Sequence, residues 1–146
     1  MNKEVVILIA EDDPGHASLI KKNLKRAGIS NNIMHFTDGQ QVLDYIFQNK
    51  SDEDFKSKSY LLLLDIRMPK VDGIEVLRQV KEDKELKKIP VIMITTTDDP
   101  KEVNACHKLG CSTYIVKPID YEQFIRAIRQ LGLFLSVVEI PVLKRG

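Results

Sequence analysis

Three aliphatic runs constrain this chain more than any other feature. They are Val5-Val6-Ile7-Leu8-Ile9-Ala10, Tyr60-Leu61-Leu62-Leu63-Leu64 and Pro90-Val91-Ile92-Met93-Ile94-Thr95. Runs of this length, apolar at successive positions, read as strands covered on both faces. Such strands belong to parallel sheets, and parallel neighbours need crossover connections that are usually helical.

The intervening segments supply those crossovers. Asp13-Pro14 offers an N-cap and a proline at the first helical position; Ala17, Ile20, Leu24 and Ala27 recur at helical spacing, and Gly28 stops the helix. Ile33 to Phe36 predicts a short strand, and Gly39 to Gln48 a helix with Val42, Leu43 and Ile46 inward. Residues 49–59 (NKSDEDFKSKS) are polar and predict a surface loop. A helix follows Gly73 with Ile74, Leu77 and Val80 on its inner face. Asp99-Pro100 repeats the cap-plus-proline start and Gly110 the stop. Thr113 to Val116 reads as the fifth strand, and Asp120 caps a last helix reaching about Leu135. Five strands and five helices in alternation predict an α/β, doubly wound, five-stranded parallel sheet. In such sheets the working site lies outside the carboxyl ends of the strands.

Composition narrows the classes further. The chain has 146 residues, enough for one good core, with 43% hydrophobic and 29% charged residues and a net charge of +1. No global field points to nucleic acid or a membrane surface. The basic cluster around Lys84, Lys87 and Lys88 reads as a solvated helix end. VVILIA is too short for a signal-peptide core, and no apolar run reaches the ~20 residues of a membrane span, so a cytoplasmic protein is expected. Cys106 and Cys111 lack a second Cys or His pair at zinc spacing and read as reduced thiols.

The chemistry gathers at the strand ends. Glu11, Asp12 and Asp13 follow the first strand, Asp65 the third, Thr95 closes the fourth and Lys117 follows the fifth. A single Asp in such a place is usually a loop residue or a cap, and Asp13, before Pro14, reads as a cap. The joint occurrence carries the argument. Crowded carboxylates repel unless a cation lies among them, and a set of hard oxygens suits Mg²⁺. A carboxylate beside such an ion can act as a nucleophile toward phosphorus, with Lys117 and Thr95 holding phosphoryl oxygens.

These motifs are Glu11-Asp12 after the first strand, Asp65 in LLLLDIRMPKVDG, Thr95 in PVIMITT and Lys117-Pro118 in TYIVKP. On them, residues from about Val5 to Leu135 resemble a receiver domain of the two-component response regulators. The resemblance implies a flavodoxin-like fold with strand order 2-1-3-4-5. It further implies Asp65 as phosphoryl acceptor and Mg²⁺ held by Glu11, Asp12, Asp65 and the main-chain carbonyl of Arg67. Thr95 and Lys117 would bind the phosphoryl group, and Tyr114 matches the aromatic switch position coupled to Thr95. The bond before Pro118 is expected to be cis. A sensor histidine kinase is the implied donor. The acidic pair is Glu-Asp where the family commonly has Asp-Asp. The insertion at 49–59, with the apolar stretch from Leu133 to Leu143, is similar to small single-domain regulators that serve bacteriophytochrome-type kinases, and no DNA-binding or enzymatic output domain is evident.

Two other classes compete. A Mg²⁺-dependent phosphatase of the haloacid-dehalogenase type wants an acid two residues after its nucleophile, where this chain has Arg67. A flavodoxin-like ligand-binding protein wants a Gly- or Ser/Thr-rich first turn, where this chain has three acids. The apolar residues beyond the last helix allow two arrangements. A 1–136 receiver domain is followed by an extension, 137–146, that either folds back onto the core or lies across a second copy in a homodimer.

Overall fold

In the computed structural model, which describes residues 1–143, five parallel strands form one sheet in the order β2-β1-β3-β4-β5. The strands are β1 (Val6–Ala10), β2 (Ile33–Phe36), β3 (Tyr60–Leu64), β4 (Val91–Thr95) and β5 (Thr113–Val116). The helices are α1 (Pro14–Arg26), α2 (Gly39–Asn49), α3 (Glu53–Lys56), α4 (Gly73–Glu82), α5 (Pro100–Leu109) and α6 (Tyr121–Leu135). A 3₁₀ turn, Leu86–Lys88, precedes β4. No helix of the described residues is long and apolar enough to cross a membrane.

Alternation along the strands divides the core in two. Val6, Leu8, Ala10, Leu62, Leu64, Val91 and Met93 face the helices α2, α4 and α5. Ile7, Ile9, Leu61, Leu63, Ile92 and Ile94 face α1 and α6 through Ile20, Leu24, Phe124 and Ile128. β1 and β3 pair in register from Val6↔Tyr60 to Ala10↔Leu64, so Glu11 and Asp65 emerge side by side at the same sheet edge.

The predicted caps Asp13, Asp99 and Asp120 are in place, and Asp38 and Asp72 act in the same way. Each accepts a main-chain N–H at the start of a helix. On α4 the deepest residues are Val76, Leu77 and Val80, with Ile74 only half-buried against the cluster. Cys106 and Cys111 are free and buried.

One segment differs from the sequence-based expectation, and a second adopts one of the two arrangements it allowed. Residues 49–59 are not a plain loop: Asp52 caps the sixth helix, α3, and buries Phe55 against Tyr60 with ring centroids 4.4 Å apart. One aromatic among ten polar residues gives no periodicity, so the turn was invisible to pattern. The C-terminal stretch folds back. Ile140 packs against the α1/α6 side, while Leu143, 2% exposed, is buried in the opposite cluster. Ser59 Oγ donates to the Ile140 carbonyl, Leu143 N–H to the Lys58 carbonyl, and Lys88 Nζ to the Leu143 carbonyl. Residues 140–143 therefore pass beneath the amino end of β3 within their own domain. The last three residues of the 137–146 extension lie outside the described residues.

Gly73 is where the fold tolerates no side chain. A Cβ there would collide with the main chain of Asp65 and Ile66, and Gly73 N–H donates to the Ile66 carbonyl at 2.8 Å. Gly73→Ala is expected to lower stability by at least about 2 kcal/mol, read from urea unfolding midpoints at unchanged m-value.

Candidate functional site

The carboxyl ends of β1, β3, β4 and β5 bring together Glu11, Asp12, Asp65, Thr95 and Lys117. Glu11 takes its place because its N–H continues the sheet ladder onto the Phe36 carbonyl at 3.0 Å. Asp65 N–H likewise reaches the Ala10 carbonyl, and Lys117 N–H the Thr95 carbonyl at 2.7 Å. These side chains thus stand on rigid sheet backbone rather than on free loops.

Lys117 is the centre of the arrangement. Its ammonium is almost wholly buried and donates to Asp65 Oδ2 at 2.9 Å and to Glu11 Oε1. Glu11 Oε2 also accepts the Asp13 N–H at 3.2 Å, and Asp65 Oδ1 accepts the Ile66 N–H at 2.7 Å. One ammonium between two buried acids drives their behaviour apart. Burial pushes the Glu11 carboxyl up to about 7, against the hydrogen bond from Lys117 and helped by the charge on Asp65. Burial acts the same way on Asp65, but the hydrogen bond and charge of Lys117 outweigh it and hold that carboxyl below its usual value. Asp65 is therefore the acid kept ionised, the form a nucleophile needs.

Thr95 lies at the end of β4, fully buried; its Oγ1 has no partner at full hydrogen-bond distance, though it lies near enough to Asp65 to help hold that carboxyl down. A hydroxyl so placed in a charged pocket is a donor waiting for an acceptor. Tyr114 on β5 donates from its hydroxyl to the Thr97 carbonyl at 2.8 Å, two residues beyond Thr95. Burial pushes that phenol up to about 12, so it remains a donor. Arg67, two residues after Asp65, turns its guanidinium to Glu102 Oε1 at 2.7 Å on α5.

The donors present fit a divalent cation. Glu11, Asp12 and Asp65 each offer a carboxylate oxygen, all within 4.8 Å of one another, two of them buried and Asp12 exposed. All-oxygen carboxylate donors match hard cations. A double positive charge here would also offset the burial that opposes ionisation of Glu11.

The Lys117-Pro118 bond is trans, against the expected cis, since no cis peptide occurs among the described residues. The two prolyl isomers differ by only about 1 kcal/mol, so the dipeptide alone does not fix the choice. Two histidines that no sequence motif singles out also reach the site. His35 Nε2 lies 2.7 Å from the Glu11 carbonyl, and His16 Nδ1 lies 2.9 Å from Lys117 Nζ. Neither belongs to a spaced motif, and both contacts exist only because distant elements meet.

Comparison with known proteins places the chain in a family. The family described as the response regulator receiver domain matches residues 7–129. This chain belongs to that family. As a receiver it is a phosphoryl-accepting signalling domain. It is similar in structure to a response regulator receiver domain from Rhodospirillum rubrum, with 47% identity, a TM-score of 0.89, and coverage of 94% of this chain and 97% of that one. The response regulator Rcp1 of Synechocystis sp. is 29% identical over 141 residues, 96% of this chain and 95% of Rcp1. The Mn²⁺-bound form of Rcp1 superposes with a TM-score of 0.83 at 28% identity, covering 94% of this chain and 99% of that one. The phosphorylated cyanobacterial phytochrome response regulator RcpA superposes with the same TM-score and identity over 93% of this chain and 97% of its own.

The receiver's acidic cluster makes a direct prediction. Mg²⁺ or Mn²⁺ at a hundred times its Kd should stabilise the protein by about 2.7 kcal/mol, a rise of a few degrees in melting temperature that chelator reverses. Asp12→Ala, at an exposed position, should remove most of that rise without lowering the metal-free melting temperature. A wild-type melt indifferent to both ions would remove the metal site.

Proposed function

We propose that this receiver takes a phosphoryl group onto Asp65 from the phosphohistidine of a sensor histidine kinase of the phytochrome type, in the cytoplasm. The observation that carries this reading is the buried Asp65 carboxyl, hydrogen-bonded to Lys117 Nζ at 2.9 Å, beside the buried Thr95 hydroxyl. A carboxylate oxygen of Asp65 attacks phosphorus, an O–P bond forms, and the P–N bond breaks as the donor imidazole leaves with the electron pair and takes up a proton. Glu11, Asp12, Asp65 and the main-chain carbonyl of Arg67 would hold Mg²⁺. When bound, that ion neutralises charge on the phosphoryl oxygens.

Lys117, already hydrogen-bonded to the acceptor carboxylate, moves its contact onto a phosphoryl oxygen. Thr95 donates to another, and its shift frees the Thr97 main chain that Tyr114 holds. The output is a change of surface shape, and the protein's own chemistry is limited to gaining and losing the phosphoryl group. The position a phosphatase would give to a general acid is filled by Arg67, which is committed to Glu102.

The receiver acts as a homodimer in this reading. Leu133, Phe134 and Val137 are 63%, 57% and 77% exposed at the end of α6, and Phe134 borders a groove of about 340 Å³ against β5 lined by Ile115 and Leu131. Contiguous exposed apolar residues are typical of association surfaces.

Acetyl phosphate with Mg²⁺ should add one phosphoryl group by intact mass, and Asp65→Asn should abolish the adduct. An adduct surviving in Asp65→Asn would refute the acceptor. Thr95→Ala should still accept the group yet lose most of the phosphorylation-induced change in Tyr114 fluorescence. For the dimer, Phe134→Glu should reduce the sedimentation coefficient at micromolar protein while leaving phosphorylation intact, and a monomeric wild type would exclude it.

A further inference from the structure

The Lys117 ammonium has three protons, and the acidic pocket accounts for two of them, on Glu11 Oε1 and Asp65 Oδ2. The third points at His16 Nδ1, 2.9 Å away. An N–H on that nitrogen would aim a proton at a cation, so Nδ1 must carry the lone pair and accept. His16 lies in the first turn of α1, where its main-chain N–H is tied to Asp13 Oδ1 at 3.1 Å. Its ring is fixed from the other side by an edge-to-face contact with Phe124 of α6, centroids 5.5 Å apart at 90°. Cap and aromatic contact thus hold the ring where its nitrogen completes the lysine's shell.

We propose that His16 is a positioning residue for phosphoryl transfer: its Nδ1 anchors the Lys117 ammonium against Asp65. The inference rests on the reading of Asp65 as acceptor and Lys117 as phosphate partner. A four-carbon side chain carries much rotamer freedom, and two carboxylates alone leave the ammonium free to turn about the line between them. A third acceptor, from helix α1, removes that freedom. Lys117 is then pre-set on the acceptor carboxylate and meets developing charge on a phosphoryl oxygen with little reorganisation. The role passes through Lys117, and the imidazole itself carries no proton in the transfer.

Asparagine separates this role from packing, because its Oδ1 lies one bond from Cγ, as Nδ1 does in histidine. Leucine has the same branching and no acceptor. Initial rates of phosphorylation by acetyl phosphate with saturating Mg²⁺ should fall about tenfold in His16→Leu, the effect of losing one charge-assisted hydrogen bond. His16→Asn should stay within about threefold of wild type. Both variants lose the ring on Phe124, so a purely structural role would slow them equally, and equal rates overturn the proposal. His16→Ala is the second non-accepting variant if His16→Leu melts early. Asp65→Asn runs alongside: an adduct there would reject the acceptor reading itself, whereas a clean control with equal His16 variants rejects only the anchoring role.

Discussion

The buried ammonium of Lys117 is the interaction on which the carboxyl edge of the sheet depends. Glu11 and Asp65 emerge from adjacent strands in register, so β1–β3 pairing brings two acids together inside the protein. Two buried negative charges side by side are sustainable only with compensation, and removing one partner from such a pair typically costs about 3–5 kcal/mol. Lys117 supplies it from a position distant in the chain, at the end of a strand two places from β3 and three from β1 in the sheet. The same contact that permits the acids to coexist makes them unlike. One is held ionised and the other pushed toward protonation, so a site of three similar carboxylates has distinct members.

From this edge, two contacts run to the neighbouring helix. Arg67 reaches from the loop after β3 to Glu102 on α5, and Tyr114 reaches from β5 to the segment that leads into α5. A change at Asp65 or Thr95 is therefore adjacent to both supports of one helix end. The close approach of Gly73 to Asp65 gives the other side of the site the opposite character, since α4 abuts the Asp65 main chain with no room for a side chain between them. Rigid packing on one side and polar tethers on the other give the domain a direction in which to respond.

Much of this was legible before any coordinates. β1, β3 and β4 are uninterrupted aliphatic runs, and each helix start carries an Asp cap, so pattern and chemistry agree. Asp65 and Thr95 could be named because each directly follows or ends such a strand, and Lys117 because it follows the shorter β5. α3 could not, because its burial rests on Phe55 alone, and Asp52 as a cap has no apolar periodicity behind it. The stretch after α6 was apolar in either arrangement, and only the tertiary contacts of Ile140 and Leu143 distinguish folding back from lying on a neighbour. His16 and His35 meet the site across 101 and 24 residues, where no local rule applies. The trans isomer at Pro118 is not legible in the sequence because the dipeptide has no strong preference of its own.

The crossing of residues 140–143 beneath β3 fixes where the chain departs from its domain. Leu143 is pinned at the amino end of the strand whose carboxyl end leads to Asp65, with Lys88 holding its carbonyl. Those ends are about 17 Å apart, the length of a five-residue strand. A reporter or fused module joined after Leu143 would therefore leave from the opposite pole and keep clear of an incoming phosphodonor. One joined at Ser136 would forfeit the Leu143 plug and open the lower core to water.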